Sequence, residues 1–228
     1  MLPIKDNVPT RRFPLVTVSL ILANFAAWIF YELPHLNRSV DQLAFHPCEV
    51  EHTCRQIGQS WELTAVTSMF MHASWLHILG NMLFLWIFGN NVEDAMGRVK
   101  FLVFYFLAGF AATALQTLIT LTTAPERDAM IPFLGASGAI SGVLGAYFIL
   151  LPRASVLTLV FFFLPIMIPA WVFLVVWFGF QLASTSASLQ HPESGGGVAF
   201  FAHIGGFVFG LLAVRFFRTR SWTAPAYR

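Results

Sequence analysis

The sequence predicts an all-α integral membrane protein with six transmembrane helices. Of its 228 residues, 57% are hydrophobic and only 11% are charged, and the mean hydropathy is +0.70, values far outside those of soluble domains. Six uncharged apolar windows recur along the chain, each near the roughly 20 residues that cross a hydrocarbon core of about 30 Å as a helix. These windows lack the alternation of polar and apolar residues that a membrane β-barrel requires, so helices are predicted throughout.

The windows form one predicted domain, residues 13–217, between a short lead (1–12) and a tail (218–228). Six crossings put both termini on the same side, and 10 of the 13 Lys and Arg residues fall in segments on that side. Because basic residues accumulate in cytoplasmic loops, both termini are predicted to be cytoplasmic. The net charge of +2 then reflects topology and gives no reason to expect a nucleic-acid partner. The helices are predicted at about 13–31, 70–90, 100–121, 136–151, 168–184 and 198–216.

Two outer connections leave alternatives open. Residues 32–62 are too polar to span, and we expect short amphipathic pieces at the outer interface. Their two cysteines, Cys48 and Cys54, form a disulfide in an oxidising compartment or remain free thiols. Residues 183–197 end in the triple glycine Gly195–Gly197, which fits either a movable cap over the helix ends or an ordinary flexible connector.

Ser137 is the candidate nucleophile, because it places a hydroxyl among glycines at the mouth of the fourth helix. A serine hydroxyl becomes reactive when an adjacent imidazole removes its proton, and His203 on the sixth helix is the candidate base. No Asp or Glu lies in any predicted span, so a dyad without an acidic third member is expected. His203 would then be oriented by packing alone.

Glycines on the same two helices allow the close approach that such a dyad needs. Gly138, Gly142 and Gly145 lie three and four residues apart on the fourth helix, and Gly206 and Gly210 follow His203 on the sixth. Small residues at these spacings form flat faces on which two backbones can meet. Trp171 and Trp177, on the fifth helix, are expected to face lipid.

His77 and Asn81 lie four residues apart on one face of the second helix. With the backbone N–H of Ser137, free in the first turn of its helix, they could donate hydrogen bonds to an oxyanion. The dipole at that helix N-terminus would favour the same charge. The alternative is an interhelical hydrogen-bond clamp with no chemistry.

Together these residues resemble the signatures of the rhomboid intramembrane serine proteases. Gly135-Ala136-Ser137-Gly138 matches the family's GxSG, His77 with Asn81 its HxxxN, and Ala202-His203 with Gly206 its AHxxG. The resemblance implies a six-helix bundle with Ser137 as nucleophile, His203 as general base and acid, and His77, Asn81 and the Ser137 amide as the oxyanion site. It also implies that the loop after the first helix rests in the membrane edge, that the 183–197 loop caps the site, and that the fifth helix helps admit substrate.

The chain departs from the family pattern at two positions. Trp61-Glu62 stands where many members carry Trp-Arg, and Ser141 stands where a Tyr often follows the nucleophile by four residues. An aromatic ring that would stack on His203 is therefore missing from position 141.

The predicted function is hydrolysis of peptide bonds in or near transmembrane segments of other membrane proteins, without a metal or cofactor. Because bilayer helices protect their amides by hydrogen bonding, substrates with small and helix-destabilising residues near the outer face are expected. The site would open to that face, and the bacterial inner membrane is the expected location. Two rivals are an inactive relative that binds transmembrane helices and a transporter or proton channel with His72, His77 and His203 as a relay.

Overall fold

A computed structural model describes residues 1–161, 163–190 and 200–224. Within these residues, three helical segments are long and apolar enough to cross a membrane: Leu15–Leu43, Arg98–Thr123 and Phe200–Phe217. Trp61–Phe70 and Trp75–Met96 form a fourth such segment when counted together across a bend of 82°. Ser137–Leu150 and Ala170–Ala183 are shorter apolar helices. The chain is a multi-pass integral membrane protein, and the count of six crossings stays a prediction.

The helices occupy most of the described chain. The longest has 26 residues, about 39 Å at 1.5 Å per residue, which exceeds the thickness of a hydrocarbon core. The helices Leu15–Ala27 and Trp75–Phe84 each continue into a π-helical turn, at Trp28–Glu32 and Leu85–Gly89 respectively. The helices are α1 (Leu15–Ala27), α2 (Leu36–Leu43), α3 (Trp61–Thr67), α4 (Trp75–Phe84), α5 (Asn90–Met96), α6 (Arg98–Thr123), α7 (Ser137–Leu150), α8 (Ala170–Gln190) and α9 (Phe200–Phe217).

The structure is mostly helical, as predicted, but a small antiparallel sheet that the all-α prediction did not include accompanies the helices. Its strands are β1 (Leu2–Asp6), β2 (Ser155–Val160) and β3 (Leu164–Pro169), in the order β1-β2-β3. The run from β2 to β3 is apolar and rich in β-branched residues, yet it is too short for a membrane helix and folds back on itself as a hairpin. The N-terminal lead forms β1, which pairs with β2.

Asp6, at the end of β1, connects the sheet to the helices. Its carboxylate accepts hydrogen bonds from the Tyr147 hydroxyl at 2.6 Å and from the Asn91 side-chain amide at 2.7 Å. Burial raises the pKa of the Asp6 carboxyl above its usual value, and these hydrogen bonds offset part of that shift. The lead is therefore packed against α7, the helix that begins with Ser137.

A buried carboxylate on α5 caps the start of α1. Glu93 accepts hydrogen bonds from the backbone N–H of Val16 at 3.0 Å and of Thr17 at 2.8 Å, and from the Thr17 hydroxyl at 2.8 Å. Pro14, at the N-cap position, supplies no capping side chain. The charge of Glu93 also lies at the positive end of the helix dipole, so α5 fixes where α1 begins.

Two helix limits differ from the sequence expectation. The second predicted helix, 70–90, instead begins at Trp75, where the Ser74 hydroxyl accepts from the N–H of His77 at 3.2 Å, and continues through Met96. The fifth, 168–184, extends to Gln190, because no Gly or Pro lies between position 184 and Pro192. Residues 183–190 of the predicted loop are thus helical, and the rest of the proposed cap, 191–197, lies outside the described residues.

Candidate active site

Ser137 and His203 meet between α7 and α9. The Nε2 atom of His203 lies 2.8 Å from the Oγ atom of Ser137, within hydrogen-bond distance. Ser137 is the first residue of α7, and His203 lies in the first turn of α9. Both side chains are partly exposed. A hydroxyl in this position can pass its proton to the imidazole as it attacks an electrophile.

Glycines bring the two helices into backbone contact beside this pair. A Cβ atom added to Gly206 would overlap the carbonyl oxygen of Gly138, and one added to Gly210 would overlap that of Gly142. A Cβ on Gly142 would in addition overlap Ala108 of α6. Eleven of the 14 residues of α7 are buried. Alpha7 is therefore held between α6 and α9, with no room for a larger residue at these glycines.

Alpha8 supplies a partner to His203 that the sequence did not lead us to expect. The Nδ1 atom of His203 lies 2.9 Å from the Oε1 atom of Gln181, whose side chain is 7% exposed. The expectation that packing alone orients His203 is wrong, because a buried amide contacts its second ring nitrogen. A single Gln in an apolar helix was the available signal, since polar groups there usually face a partner.

Aromatic rings also reach His203 from unexpected positions. The rings of Trp177 and His203 have centroids 6.1 Å apart, and those of Phe200 and His203 lie 6.5 Å apart. Trp177 faces α9 and is partly buried, so its predicted lipid exposure is wrong, whereas Trp171 is 49% exposed. Ser141 has no ring that could stack on His203, and its hydroxyl donates to the Ser137 carbonyl at 2.6 Å.

His77 and Asn81 converge on Gly135, two residues before Ser137. A Cβ atom on Gly135 would lie 2.8 Å from Nε2 of His77 and 3.7 Å from Nδ2 of Asn81. Gly135 also has a φ of +127°, which other residues rarely adopt. A glycine is thus required here twice over, once by the backbone and once by the two polar side chains.

Both side chains present donors to this region. The Nδ1 atom of His77 accepts from the backbone N–H of Ala73 at 3.4 Å, so the proton of the neutral ring is on Nε2. The buried Nδ2 of Asn81 has no hydrogen-bond partner among the described residues. A buried donor without a partner is costly, which the clamp alternative does not account for.

His72 is fully buried next to His77, with ring centroids 5.0 Å apart. Its backbone N–H donates to the carboxylate of Glu32 at 2.6 Å. Glu32 was expected in the outer loop, but it lies in the π-helical turn that ends α1 and is fully buried. This contact holds the end of the first helix against the segment that precedes α4.

The segment between α2 and α3 resolves the alternative left open for the cysteines. Cys48 and Cys54 form a disulfide, with Cα atoms 5.5 Å apart. The Glu49 carboxylate beside Cys48 accepts from the backbone N–H of Ile57 at 2.7 Å. This part of the chain therefore has a fixed conformation of its own.

Comparison with known proteins identifies a family model and several relatives. The family model of the Rhomboid domain matches residues 58–220. Rhomboid protein 1, mitochondrial, of Saccharomyces cerevisiae is 30% identical over 152 residues, which cover 66% of this chain and 40% of that protein. Presenilin-associated rhomboid-like protein A, mitochondrial, of Danio rerio is 37% identical over 93 residues, 41% of this chain and 23% of that protein.

Rhomboid protease GluP of Bacillus subtilis is 37% identical over 89 residues, which cover 39% of this chain and 15% of that protein. The chain thus spans less than two thirds of the length of each of these relatives. The family model nevertheless covers well over half of the chain, including Ser137, His203, Gln181, His77 and Asn81. The chain belongs to the rhomboid family.

Proposed function

We propose that this chain is an intramembrane serine endopeptidase that cleaves peptide bonds in or near the transmembrane segments of other membrane proteins. The observation that carries the proposal is the 2.8 Å contact between Ser137 Oγ and His203 Nε2. Two polar side chains from different helices face each other in an apolar bundle, in the arrangement that nucleophilic catalysis by serine requires. Family membership supports the same reaction class.

The reaction begins with attack of Ser137 Oγ on the scissile carbonyl carbon as His203 Nε2 accepts the hydroxyl proton. The carbonyl π bond opens and its oxygen becomes an oxyanion. The donors for this oxyanion are His77 Nε2–H, Asn81 Nδ2–H and the backbone N–H of Ser137, which has no intrahelical partner in the first turn. This role would give a partner to the buried Nδ2 of Asn81, which has none within the described part of the chain.

His203 then donates its proton to the leaving amine as the C–N bond breaks, leaving an acyl group on Ser137. A water molecule gives a proton to His203 while its oxygen attacks the ester carbonyl. The second tetrahedral intermediate then breaks down to the product acid, and His203 returns the proton to Ser137 Oγ. Because the chain's own residues supply acid, base and oxyanion donors, the proposed reaction uses no metal or cofactor.

Substrates are proposed to be membrane proteins whose helices unwind easily near the site. A helical amide is protected by its own hydrogen bonds, so small and helix-destabilising residues favour cleavage. Both termini face the cytoplasm in this proposal, since 10 of the 13 basic residues lie on that side of a six-crossing chain. The site would open to the opposite face. The bacterial inner membrane stays a prediction, because the relatives above are mitochondrial as well as bacterial by name.

The test is cleavage of labelled transmembrane segments by the purified protein, with the cut mapped by mass. Ser137→Ala and His203→Ala should abolish cleavage and leave the protein folded. Ser19→Ala is the matched control, because it removes a helix hydroxyl whose bond is to Leu15 on α1. Cleavage by Ser137→Ala at the wild-type rate would refute the proposal.

A fluorophosphonate probe separates the enzyme from its two rivals. It should label Ser137 in the wild-type protein and fail to do so in His203→Ala, since labelling requires an activated hydroxyl. A helix-binding relative without activity, or a transporter that uses His72, His77 and His203 as a relay, predicts no labelling in either protein.

A further inference from the structure

Gln181 is the one uncharged amide side chain in the apolar stretch 170–183 of α8, and it is almost fully buried. Burial of an amide in apolar surroundings is costly unless a hydrogen bond compensates for the lost water. The 2.9 Å contact of its Oε1 with His203 Nδ1 provides such a bond. The position of Gln181 is thus tied to the candidate base and not to lipid.

We propose that Gln181 is a positioning residue that holds His203 in the tautomer able to accept the Ser137 proton. This inference rests on the proposed function and deepens it, extending the Ser–His pair to a hydrogen-bonded Ser–His–Gln chain across three helices. No residue of the family signatures stands at position 181, so the sequence motifs do not assign this role.

The donors and acceptors around His203 determine its tautomer. Amide oxygen Oε1 carries no hydrogen, so His203 Nδ1 must donate to it. A neutral imidazole has a single N–H, and Nε2 is then left as a lone pair facing the Ser137 hydroxyl. In the other tautomer two acceptors would oppose each other at Gln181, and an N–H would point at the nucleophile. That tautomer cannot take the proton.

Packing between α8 and α9 fixes the distance of this bond. The rings of Phe178 and Phe207 stack with centroids 4.6 Å apart, and Trp177 contacts both His203 and Phe207, with centroids at 6.1 and 6.0 Å. Phe178 and Trp177 lie three and four positions before Gln181, on the same face of α8. Correct orientation of the base therefore depends on α8 remaining packed on α9.

The first test compares the pH dependence of kcat/KM in Gln181→Met and Gln181→Glu. Methionine keeps the length of the side chain and removes the acceptor, so kcat should fall about 10- to 100-fold with KM unchanged, as for lost partners that orient a histidine. Glutamate offers a charged acceptor, which stabilises the imidazolium and should move the acid limb of the profile upward by about 1–3 pH units. His77 is the other titratable group that acts on His203, and it is unaltered in both variants.

Leu182→Met is the matched control, since the neighbouring side chain is 48% exposed. It should keep the wild-type rate and profile. A folded Gln181→Met with wild-type kcat, or a Gln181→Glu whose acid limb does not move, would overturn the inference. If the wild-type protein itself shows no labelling of Ser137, the proposed function fails instead.

The second test measures the tautomer without substitution or substrate. Nitrogen-15 chemical shifts of the His203 ring in the full chain should show a protonated Nδ1 and an unprotonated Nε2. The reverse assignment in wild-type protein would contradict the role of Gln181 even where the variants do not fold.

Discussion

A methyl group added at Gly206 should slow the reaction by separating α9 from α7. In Gly206→Ala the new Cβ would overlap the carbonyl oxygen of Gly138 and lie 3.1 Å from its carbonyl carbon and 3.3 Å from the nitrogen of Gly142. Carbon atoms in contact are ordinarily about 3.5–4.0 Å apart. Because all three neighbouring atoms belong to the backbone, relief requires movement of a whole helix by about 1 Å.

That movement acts directly on the candidate dyad. Gly206 lies one turn from His203, so the 2.8 Å contact with Ser137 should lengthen beyond the roughly 3.2 Å at which such bonds weaken. A misplacement of about 1 Å can cost about 100-fold in rate, which is about 2.7 kcal/mol in the activation barrier. Overpacking should also lower the free energy of unfolding by about 1–3 kcal/mol.

The assay pairs the rate of fluorophosphonate labelling with the rate of transmembrane-segment cleavage, and adds a thermal unfolding curve. Gly179→Ala is the control, because a Cβ at that helical glycine has no neighbour within 4 Å. It should keep full activity and gain up to about 1 kcal/mol from helix propensity. A folded Gly206→Ala that labels and cleaves at the wild-type rate would refute the packing argument.

Three further predictions concern the scaffold. Glu93→Gln should lower the free energy of unfolding by about 1.5–3 kcal/mol, since it removes the charge from the cap on Thr17, and thermal unfolding would show no change if the cap is unimportant. Burial lowers the pKa of His46 from its usual 6.5, so the contribution of the neutral imidazole to the free energy of unfolding is present above pH 6.5 and is lost as pH falls. The midpoint of thermal unfolding should therefore decline below pH 6.5, and His46→Gln should remove that part of the decline. Replacing both Cys48 and Cys54 by Ala should cost about 2 kcal/mol, the small value that a short closed loop implies, and an unchanged midpoint would count against it.

The parts of the site that follow local rules could be predicted from the sequence. Glycine spacings of three and four residues describe one face of a helix, and they predicted close approach of the helices that carry Ser137 and His203. The spacing of His77 and Asn81 likewise places them on one face of α4. In each case the pattern lies within one helix, so the sequence alone contains it.

The parts that depend on rotation and pairing could not be predicted. A lone Gln181 in an apolar run has no periodicity, and its partner is decided by how α8 turns against α9. The pairing of Leu2 with Leu159 joins strands that lie far apart in the sequence, and neither strand alone is strongly patterned. Glu32 was misplaced because a π-helical turn carried α1 further than apolar composition indicated.

The glycine contact and the Gln181 contact act on the same imidazole, and a double-mutant cycle can test this. Gly206→Ala displaces His203 from Ser137, and Gln181→Met releases its ring to the unproductive tautomer. If both act through the position of His203, the second substitution has less left to remove, and the two losses in kcat/KM should combine to less than their sum by about 0.5–3 kcal/mol. Glu93 lies outside the site, so any loss in kcat/KM caused by Glu93→Gln should add fully to the loss caused by either substitution. Full additivity of Gly206→Ala and Gln181→Met would mean that the two contacts affect different steps, because independent sites contribute independently to the barrier.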